Sequence, residues 1–208
     1  MIFDCDGTLV DSEFLCNLGL EIGLRNYGIE SSATTMMEKY RGGKLADILR
    51  SIEKEYNVVL KQDFVSEYRE LVDQLFEKEL NPCEGVPEFL NQNTLSKCVA
   101  SSGPIQKINK ALEITDLKKY FGDNVFSSYE INSWKPDPEI FLHAAEKMGF
   151  YPDECLVIED SMKGIESGLA AGMKTILFDP MGLYGNFNEV QRIDKMNKLD
   201  AIIAAYNT

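Results

Sequence analysis

Near its start the chain reads Phe3-Asp4-Cys5-Asp6-Gly7-Thr8-Leu9-Val10-Asp11-Ser12, a short apolar run that ends in two aspartates. Side chains two residues apart in a strand point to the same face, so Asp4 and Asp6 are expected side by side where a strand ends. Two carboxylates this close repel each other unless a cation or a proton neutralises one of them. A metal-bound carboxylate can be a nucleophile, and a protonated one a general acid. A strand running into an Asx-type turn explains the same residues equally well, so the stretch alone leaves both interpretations open.

The composition limits the classes of molecule that the protein is expected to bind. With 208 residues, the chain is long enough for one core, or for a core domain that carries a smaller insertion. Its 21 basic and 34 acidic residues give a net charge of −13, which repels nucleic acid and anionic membranes, so we expect neither as a partner. No apolar run reaches transmembrane length, and no basic-then-apolar signal segment opens the chain. The prediction is therefore a cytoplasmic protein, taken as a monomer, whose partner is a small molecule.

Two residue types exclude several kinds of catalytic site. The cysteines are odd in number and lack a C-x-x-C pair, which predicts buried free thiols in a reducing compartment. They are Cys5, Cys16, Cys83, Cys98 and Cys155. His143 is the only histidine, which excludes His-rich zinc sites and a Ser-His-Asp triad.

Two patterns of secondary structure divide the chain. Between Ser12 and Leu80 apolar residues recur at helical spacing, which predicts a bundle. Its first helix ends near Tyr27-Gly28, the second and third cover 33–40 and 45–56, and Asp63 caps the fourth. The glycine and prolines of residues 81–87 indicate a linker.

Beyond the linker, apolar strands alternate with helices. Strands are predicted at 98–100, 125–126, 156–158 and 175–178, helices near 105–114, 138–148 and 162–171, and a helix with a short tail over 186–208. This alternation predicts a parallel sheet covered on both faces, to which the opening strand belongs. Only Met1 and Ile2 precede Phe3, whereas a central strand usually has about five residues, so an upstream start or a trimmed chain both stay open. The fold class is therefore α/β, with a Rossmann-like core of residues 1–12 and 82–208 and an inserted helical-bundle cap of residues 13–81.

Polar residues follow four of the predicted strands, and in open parallel sheets ligands bind beyond the carboxyl ends of the strands. The first strand ends at Asp4 and Asp6, and the second at Ser101-Ser102-Gly103, where a hydroxyl and free backbone N–H groups suit a phosphate. After the third strand comes Lys135, in a loop that two neighbouring prolines stiffen. The fourth ends at Glu159-Asp160. Helix caps and a solvated lysine explain each feature singly, but not all four in order.

These four positions resemble the four motifs of the haloacid dehalogenase superfamily, which span the sheet domain from end to end. The resemblance implies that Asp4 is the nucleophile that takes the phosphoryl group and that Asp6 is the acid/base. Ser101 would match the motif hydroxyl, and Lys135 the lysine that binds nucleophile and phosphate. The family often has asparagine where this chain has Ser102, which leaves the backbone contact with the phosphate intact.

A magnesium ion is the expected cofactor, because carboxylates at two strand ends offer oxygen ligands and suit Mg²⁺ better than zinc. The resemblance implies that Glu159 and Asp160 hold it together with Asp4 and the backbone carbonyl of Asp6. The substrate is expected to contact three further positions of the sheet domain, namely Thr8, Ser102 and Gly103.

Within the superfamily, two positions favour phosphate hydrolysis. Dehalogenases lack the second aspartate, so Asp6 favours phosphate chemistry. The β-phosphoglucomutases, which the chain also resembles, place a histidine twelve residues after the nucleophile, where this chain has Cys16. A mutase must keep water from its aspartyl phosphate, so the loss of that histidine favours a phosphatase. A non-catalytic protein that binds a phosphorylated ligand stays as an alternative.

Substrate choice is expected to lie in the helical insertion, which resembles the mobile cap of subfamily I. Its turn Arg41-Gly42-Gly43-Lys44 interrupts the helical pattern and offers two cations to an anionic or hydroxyl-rich leaving group. A basic turn in solvent explains it too. This turn, with residues 129–138 and 143–145, resembles bacterial 6-phosphogluconate phosphatases, and 6-phosphogluconate is the preferred substrate prediction. Phosphoglycolate, hexose phosphates and a β-phosphoglucomutase reaction remain alternatives.

Overall fold

A computed structural model of the chain describes residues 1–185 and 187–206. The chain divides into two compact units. The sheet unit contains Met1–Val10 and the chain from Pro82 onward, and the helical unit contains Asp11–Asn81. The first segment of the sheet unit ends at Val10, two residues before the predicted end of that segment at Ser12. That these units are a catalytic core and a cap stays a prediction.

The helical unit has four helices, which pack around a shared apolar core. They are α1 (Glu13–Arg25), α2 (Ala33–Tyr40), α3 (Leu45–Tyr56) and α4 (Phe64–Glu79). The bounds of α2 and α3 agree with the prediction, and Ser32 caps α2 by accepting a hydrogen bond from the Thr35 amide. The predicted cap of α4 is wrong in one respect, since Asp63 occupies the N-cap but its side chain makes no capping hydrogen bond. The core of the unit consists of Leu20, Leu24, Ile29, Met36, Leu49, Ile52 and Phe64.

The sheet unit alternates strands and helices, as predicted. Its first elements are β1 (Ile2–Phe3), α5 (Val86–Gln92), β2 (Cys98–Ser101), α6 (Ile105–Ile114), α7 (Lys118–Phe121), β3 (Val125–Ser127) and α8 (Ser128–Ile131). They are followed by α9 (Glu139–Met148), β4 (Leu156–Glu159), α10 (Met162–Ala170), β5 (Lys174–Phe178), β6 (Gln191–Ile193) and α11 (Leu199–Tyr206). Short 3-10 turns cover Pro152–Glu154 and Met196–Lys198.

The strands form one parallel sheet in the order β3-β2-β1-β4-β5-β6, which confirms the α/β prediction. β1 lies in the interior of the sheet, where Phe3 pairs with Val99 of β2 on one side and Ile158 of β4 on the other. β2 and β4 are buried along their whole length, as strands covered on both faces should be. Because β1 is so placed, the residue that follows it stands at the middle of the sheet's carboxyl edge.

Two segments differ from the prediction. The predicted linker at 81–87 already contains the start of α5, because Gly85 takes the N-cap position with φ +79° and Pro87 fits the first turn. The predicted helix with a tail over 186–208 is wrong in its first part, which contains the strand β6 and a 3-10 turn before α11, and the first two residues of β6 are exposed. Residues 186, 207 and 208 of that prediction lie outside the described part of the chain.

The prediction of buried free thiols holds only in part. All five cysteines are free thiols, and three of them are buried. In the described part of the chain, no helix is both long enough and apolar enough to cross a membrane.

Candidate active site

The predicted residues of three strand ends meet at the carboxyl edge of the sheet. Asp4 follows β1, and its amide donates a hydrogen bond to the carbonyl of Ile158 in β4 at 3.0 Å. Ser101 is the last residue of β2, and Glu159 the last of β4. Parallel pairing puts these ends at one edge because it aligns the direction of neighbouring strands.

Lys135 enters this edge from the loop between α8 and α9 and binds the nucleophile candidate directly. Its Nζ donates to Asp4 Oδ1 at 2.5 Å, to Glu159 Oε1 at 2.9 Å and to the carbonyl of Ala100 at 3.1 Å. The Lys135 side chain is only 5% exposed, and its ammonium lies 4.7 Å from the ring centre of Phe141. A lysine this deeply buried requires such partners, since an unpaired buried charge is strongly unfavourable.

The electrostatics of this cluster follow from burial and from its excess of carboxylates. Burial raises the pKa of Asp4 to about 8, the Lys135 ammonium opposes that shift, and the Glu159 carboxylate adds to it. Burial disfavours the charged form of Lys135, but Asp4 and Glu159 outweigh it and raise the pKa of this lysine. Lys135 is therefore a permanent cation beside Asp4, and a divalent cation at the same place would favour the ionised form of Asp4 further.

Glu159 has both carboxylate oxygens engaged by the protein. Oε1 accepts from Lys135, while Oε2 accepts from the amide of Ser161 at 2.6 Å and from its hydroxyl at 2.9 Å. Gly164 in α10 leaves the room for this carboxylate, because a Cβ there would lie 1.8 Å from Glu159 Cδ. Both oxygens of Glu159 thus have protein partners, one of them Lys135, and its expected part in holding the metal stays a prediction.

Asp160 lies against the loop that follows β1. Gly7 adopts φ +82°, and a Cβ on it would lie 2.3 Å from Asp160 Oδ2, so only glycine fits this approach. The hydroxyl of Thr8 donates to Asp160 Oδ1 at 3.4 Å. Thr8 was expected to contact the substrate, but its side chain is fully buried and supports Asp160 instead.

The Ser101-Ser102-Gly103 loop is held by one hydrogen bond within it and one from the end of β3. Ser101 is buried, and its hydroxyl accepts from the Gly103 amide at 3.1 Å. The hydroxyl of Ser127, at the end of β3, donates to the Gly103 carbonyl at 2.6 Å. Ser102 and Gly103 are half-buried, which suits the predicted contact with a phosphate.

Asp6 is paired with a lysine that the sequence analysis missed. Lys107 Nζ donates to Asp6 Oδ1 at 2.7 Å, and both side chains are about a quarter exposed, 25% and 21%. One signal for Lys107 is present in the sequence, since a basic residue in the first turn of a helix is opposed by the helix dipole, and an acidic neighbour would offset this. That neighbour is distant in sequence, and helical spacing does not identify it.

The donor set fits Mg²⁺. Among residues 1–185 and 187–206, no three or more His, Cys, Asp and Glu side chains form a cluster that could hold a metal ion. Mg²⁺ does not need one, because it keeps several waters and binds through one or two carboxylates together with substrate phosphate. Asp4 and Asp160 are such carboxylates, and the close approach of Asp160 to Gly7 brings it to the loop that carries Asp6.

The remaining predicted residues belong to other elements of the chain. Arg41 and Lys44 belong to the helical unit, where both are half-buried and flank a turn in which Gly42 adopts φ +64°. Cys16 is in the first turns of α1. His143 packs edge-on against Phe126, with ring centres 5.6 Å apart, and is part of α9 rather than of the site.

The comparisons with known proteins agree with this geometry. Residues 1–178 match the model of the family described as haloacid dehalogenase-like hydrolase. The 6-phosphogluconate phosphatase of Escherichia coli (strain K12) is 36% identical over 179 residues, which cover 86% of this chain and 81% of that protein. A conserved haloacid dehalogenase-like protein of unknown function from Agrobacterium tumefaciens has a TM-score of 0.83 and 31% identity, and covers 100% of this chain and 98% of its own. A β-phosphoglucomutase from Clostridium difficile, with a TM-score of 0.82, 22% identity and 99% and 96% coverage, shares the fold.

The fold, the site and these relatives define an enzyme, a phosphoric monoester hydrolase. Within that class, the chain belongs to the haloacid dehalogenase-like hydrolases. A purely ligand-binding role, left open by the sequence, is thereby set aside.

Proposed function

We propose that this chain hydrolyses a small phosphorylated sugar or sugar acid, with 6-phosphogluconate as the favoured substrate, through an aspartyl phosphate on Asp4. The observation that carries the proposal is the buried contact of Asp4 with Lys135 at the carboxyl edge of the sheet, 2.5 Å between Oδ1 and Nζ. The name of the Escherichia coli relative supports the choice of substrate. Cytoplasmic location and a monomeric state remain predictions.

The first half of the proposed reaction transfers the phosphoryl group to the enzyme. Asp4 attacks phosphorus as the bond between phosphorus and the leaving oxygen breaks, and Asp6 gives its proton to that oxygen. Lys135 offsets charge on the phosphoryl oxygens, which is the main demand that phosphoryl transfer makes on a protein. Ser101 and the amides of Ser102 and Gly103 would bind the same oxygens.

The second half returns the enzyme to its starting state. Asp6, now a carboxylate, takes a proton from water, and the oxygen of that water forms a bond to phosphorus. The bond between phosphorus and Asp4 breaks, which releases inorganic phosphate and restores the Asp4 carboxylate.

Asp4, Asp160 and the Asp6 carbonyl would hold the magnesium ion in this proposal. When bound, Mg²⁺ supplies positive charge to the phosphate and orients it for in-line attack. Glu159 acts beside it by keeping Lys135 in place.

The substrate preference is assigned to Arg41 and Lys44. 6-Phosphogluconate carries a carboxylate opposite its phosphate, and two cations would favour it over a neutral hexose phosphate. Cys16 supports hydrolysis over the mutase alternative, because a thiol at that position replaces the histidine of β-phosphoglucomutases.

A panel of phosphate esters tests the proposal. With Mg²⁺, phosphate release should be fastest with 6-phosphogluconate and slower with phosphoglycolate, hexose phosphates and β-glucose 1-phosphate. Asp4→Asn should abolish release from every ester, whereas Asp123→Asn, the same change at an exposed position, should leave it intact. Full activity of Asp4→Asn would refute the mechanism, and a preference for neutral hexose phosphates would refute the substrate. Glucose 6-phosphate formed from β-glucose 1-phosphate would identify a mutase.

A further inference from the structure

Lys107 is the residue at this site that no motif explains. It lies in the first turn of α6, and its ammonium contacts Asp6 Oδ1 at 2.7 Å. The contact joins residues 101 positions apart in sequence, so it depends on the finished fold.

The position of Lys107 is unfavourable for the helix itself. The N-terminal end of a helix carries partial positive charge, so a lysine in the first turn destabilises it by roughly 0.3–1 kcal/mol. The first turn of α6 contains no acidic residue that would relieve this repulsion. The carboxylate of Asp6 relieves it from outside the helix, and the pairing therefore explains why a lysine is tolerated there.

The same pairing restricts Asp6. Its Oδ1 is bound by Lys107, while its Oδ2 faces the Ser101-Ser102-Gly103 loop, 3.7 Å from where a Cβ on Gly103 would stand. The carboxylate is thus held between the first turn of α6 and the loop proposed to bind the phosphate. An aspartate has two rotatable side-chain bonds, and a rotation about either would carry its oxygens away from this loop.

We propose that Lys107 is a positioning residue for the acid/base step, in which its ammonium fixes the orientation of the Asp6 carboxylate that exchanges a proton with the reacting oxygen. The inference rests on the proposed function, since it takes Asp6 as the acid/base. Lys107 does not itself transfer a proton. It aligns one carboxylate oxygen by holding the other.

The test uses leaving groups that differ in their need for a proton. p-Nitrophenolate leaves readily as an anion, whereas the alkoxide of a sugar or of glycerol must be protonated as it leaves. Misplacing the acid should therefore slow alkyl esters and spare the aryl ester. The quantity to measure is single-turnover release of the leaving group, with Mg²⁺ and with enzyme at saturating excess over ester, because it separates the first half-reaction from binding and from water attack.

Lys107→Met removes the ammonium and keeps the apolar stem, and Lys107→Arg keeps the charge. We expect Lys107→Met to slow glycerol 3-phosphate, or the best alkyl ester of the panel, by about 10- to 100-fold and p-nitrophenyl phosphate by less than about 3-fold. Lys107→Arg should recover most of the loss. Lys119→Met, which breaks an exposed ion pair with Asp116, is the matched control and should not change either rate.

Three results would overturn this role while leaving the proposed function intact. They are an equal loss on both esters, an increase in KM for the alkyl ester with an unchanged single-turnover rate, and no effect at all. The first would indicate phosphate binding or a structural role, and the second would indicate leaving-group binding. Lys107→Gln gives a second neutral variant should Lys107→Met fail to fold. A wild-type enzyme inactive on both esters, or an active Asp4→Asn variant, would instead refute the proposed function, and this inference with it.

Discussion

Gly164→Ala should disable the site without touching a residue that meets substrate. Gly164 lies in the first turn of α10, above the Glu159 carboxylate, and its backbone φ is ordinary for a helix, so the effect is steric. A Cβ on it would stand 1.8 Å from both Glu159 Cδ and Oε1 and 2.4 Å from Oε2. Glu159 is 1% exposed, so its carboxylate cannot move without displacing the groups packed around it.

The size of the effect follows from these distances. Carbon contacts with a Cβ are essentially never shorter than 3.0 Å, so the Glu159 carboxylate must move by about 1 Å or more. A displacement of that size lengthens the 2.9 Å hydrogen bond with Lys135 beyond bonding range. One lost charge-assisted bond is worth about 1.5–3 kcal/mol, and alanine returns about 1 kcal/mol through its helix propensity. The expected net loss of unfolding free energy is therefore about 0.5–2 kcal/mol.

The loss in kcat should correspond to a larger free energy than the loss in the free energy of unfolding. A displacement of about 1 Å in a group that positions the reaction can reduce the rate about 100-fold. We expect such a loss in kcat for the best ester of the panel, because Lys135, released by Glu159, no longer holds Asp4 and the phosphate together. Urea unfolding followed by circular dichroism measures the stability, and phosphate release at saturating ester measures kcat.

Gly168→Ala is the matched control for this prediction. It makes the same change one turn further along α10, where the Cβ would stand 2.5 Å from Thr175 Oγ1 instead of from a site residue. It should lower stability while the folded enzyme keeps the kcat of the wild type. Equal kcat values for Gly164→Ala and the wild type, or equal losses in both glycine variants, would refute the role assigned to Glu159.

Two further predictions concern the cation and the charge of Asp4. EDTA should abolish phosphate release and added Mg²⁺ should restore it, and activity that survives EDTA would contradict the proposed magnesium site. Because burial raises the pKa of Asp4 to about 8 in the metal-free fold, its ionised form is less stable folded than unfolded, and this penalty grows as the pH rises from about 4 to 8. In EDTA at pH 8, Asp4→Asn should therefore have a higher free energy of unfolding than the wild type. The expected difference is on the order of 2 kcal/mol, after subtracting the loss that Lys135 suffers when its charged partner is removed, and it should be smaller at pH 5. A stability difference between variant and wild type that does not change with pH, measured by urea unfolding, would contradict this.

The parts of the fold that the sequence predicted are those with a strong local signal. Helices α2 and α3 are bounded by Ser32 and by the turn 41–44, and their apolar residues recur at helical spacing. The first three residues of β2 and of β4 form continuous apolar runs because both faces of these strands are buried. The sheet edge that gathers Asp4, Ser101 and Glu159 followed from strand direction alone.

The parts that escaped prediction depend on neighbours distant in sequence. β6 contributes one buried residue, Ile193, so it has no apolar run of its own and is defined by its pairing with β5. The contact of Lys107 with Asp6 joins the first turn of a helix to the loop after another strand. Neither can be inferred from periodicity, because periodicity describes one element and not the surface that it meets.

The acidic pair at the end of β4 shows what the alternation of side chains implies for neighbouring residues. The alternation of side chains that puts Asp4 and Asp6 on one face separates residues adjacent in sequence, such as Glu159 and Asp160. The structure follows this rule, since Glu159 meets Lys135 and Ser161, while Asp160 meets Gly7 and Thr8. The two carboxylates therefore contact different groups. Glu159 binds Lys135, and Asp160 faces the loop that carries Asp6. That Glu159 also binds the metal stays a prediction, and in the metal-free fold both of its oxygens accept hydrogen bonds from the protein.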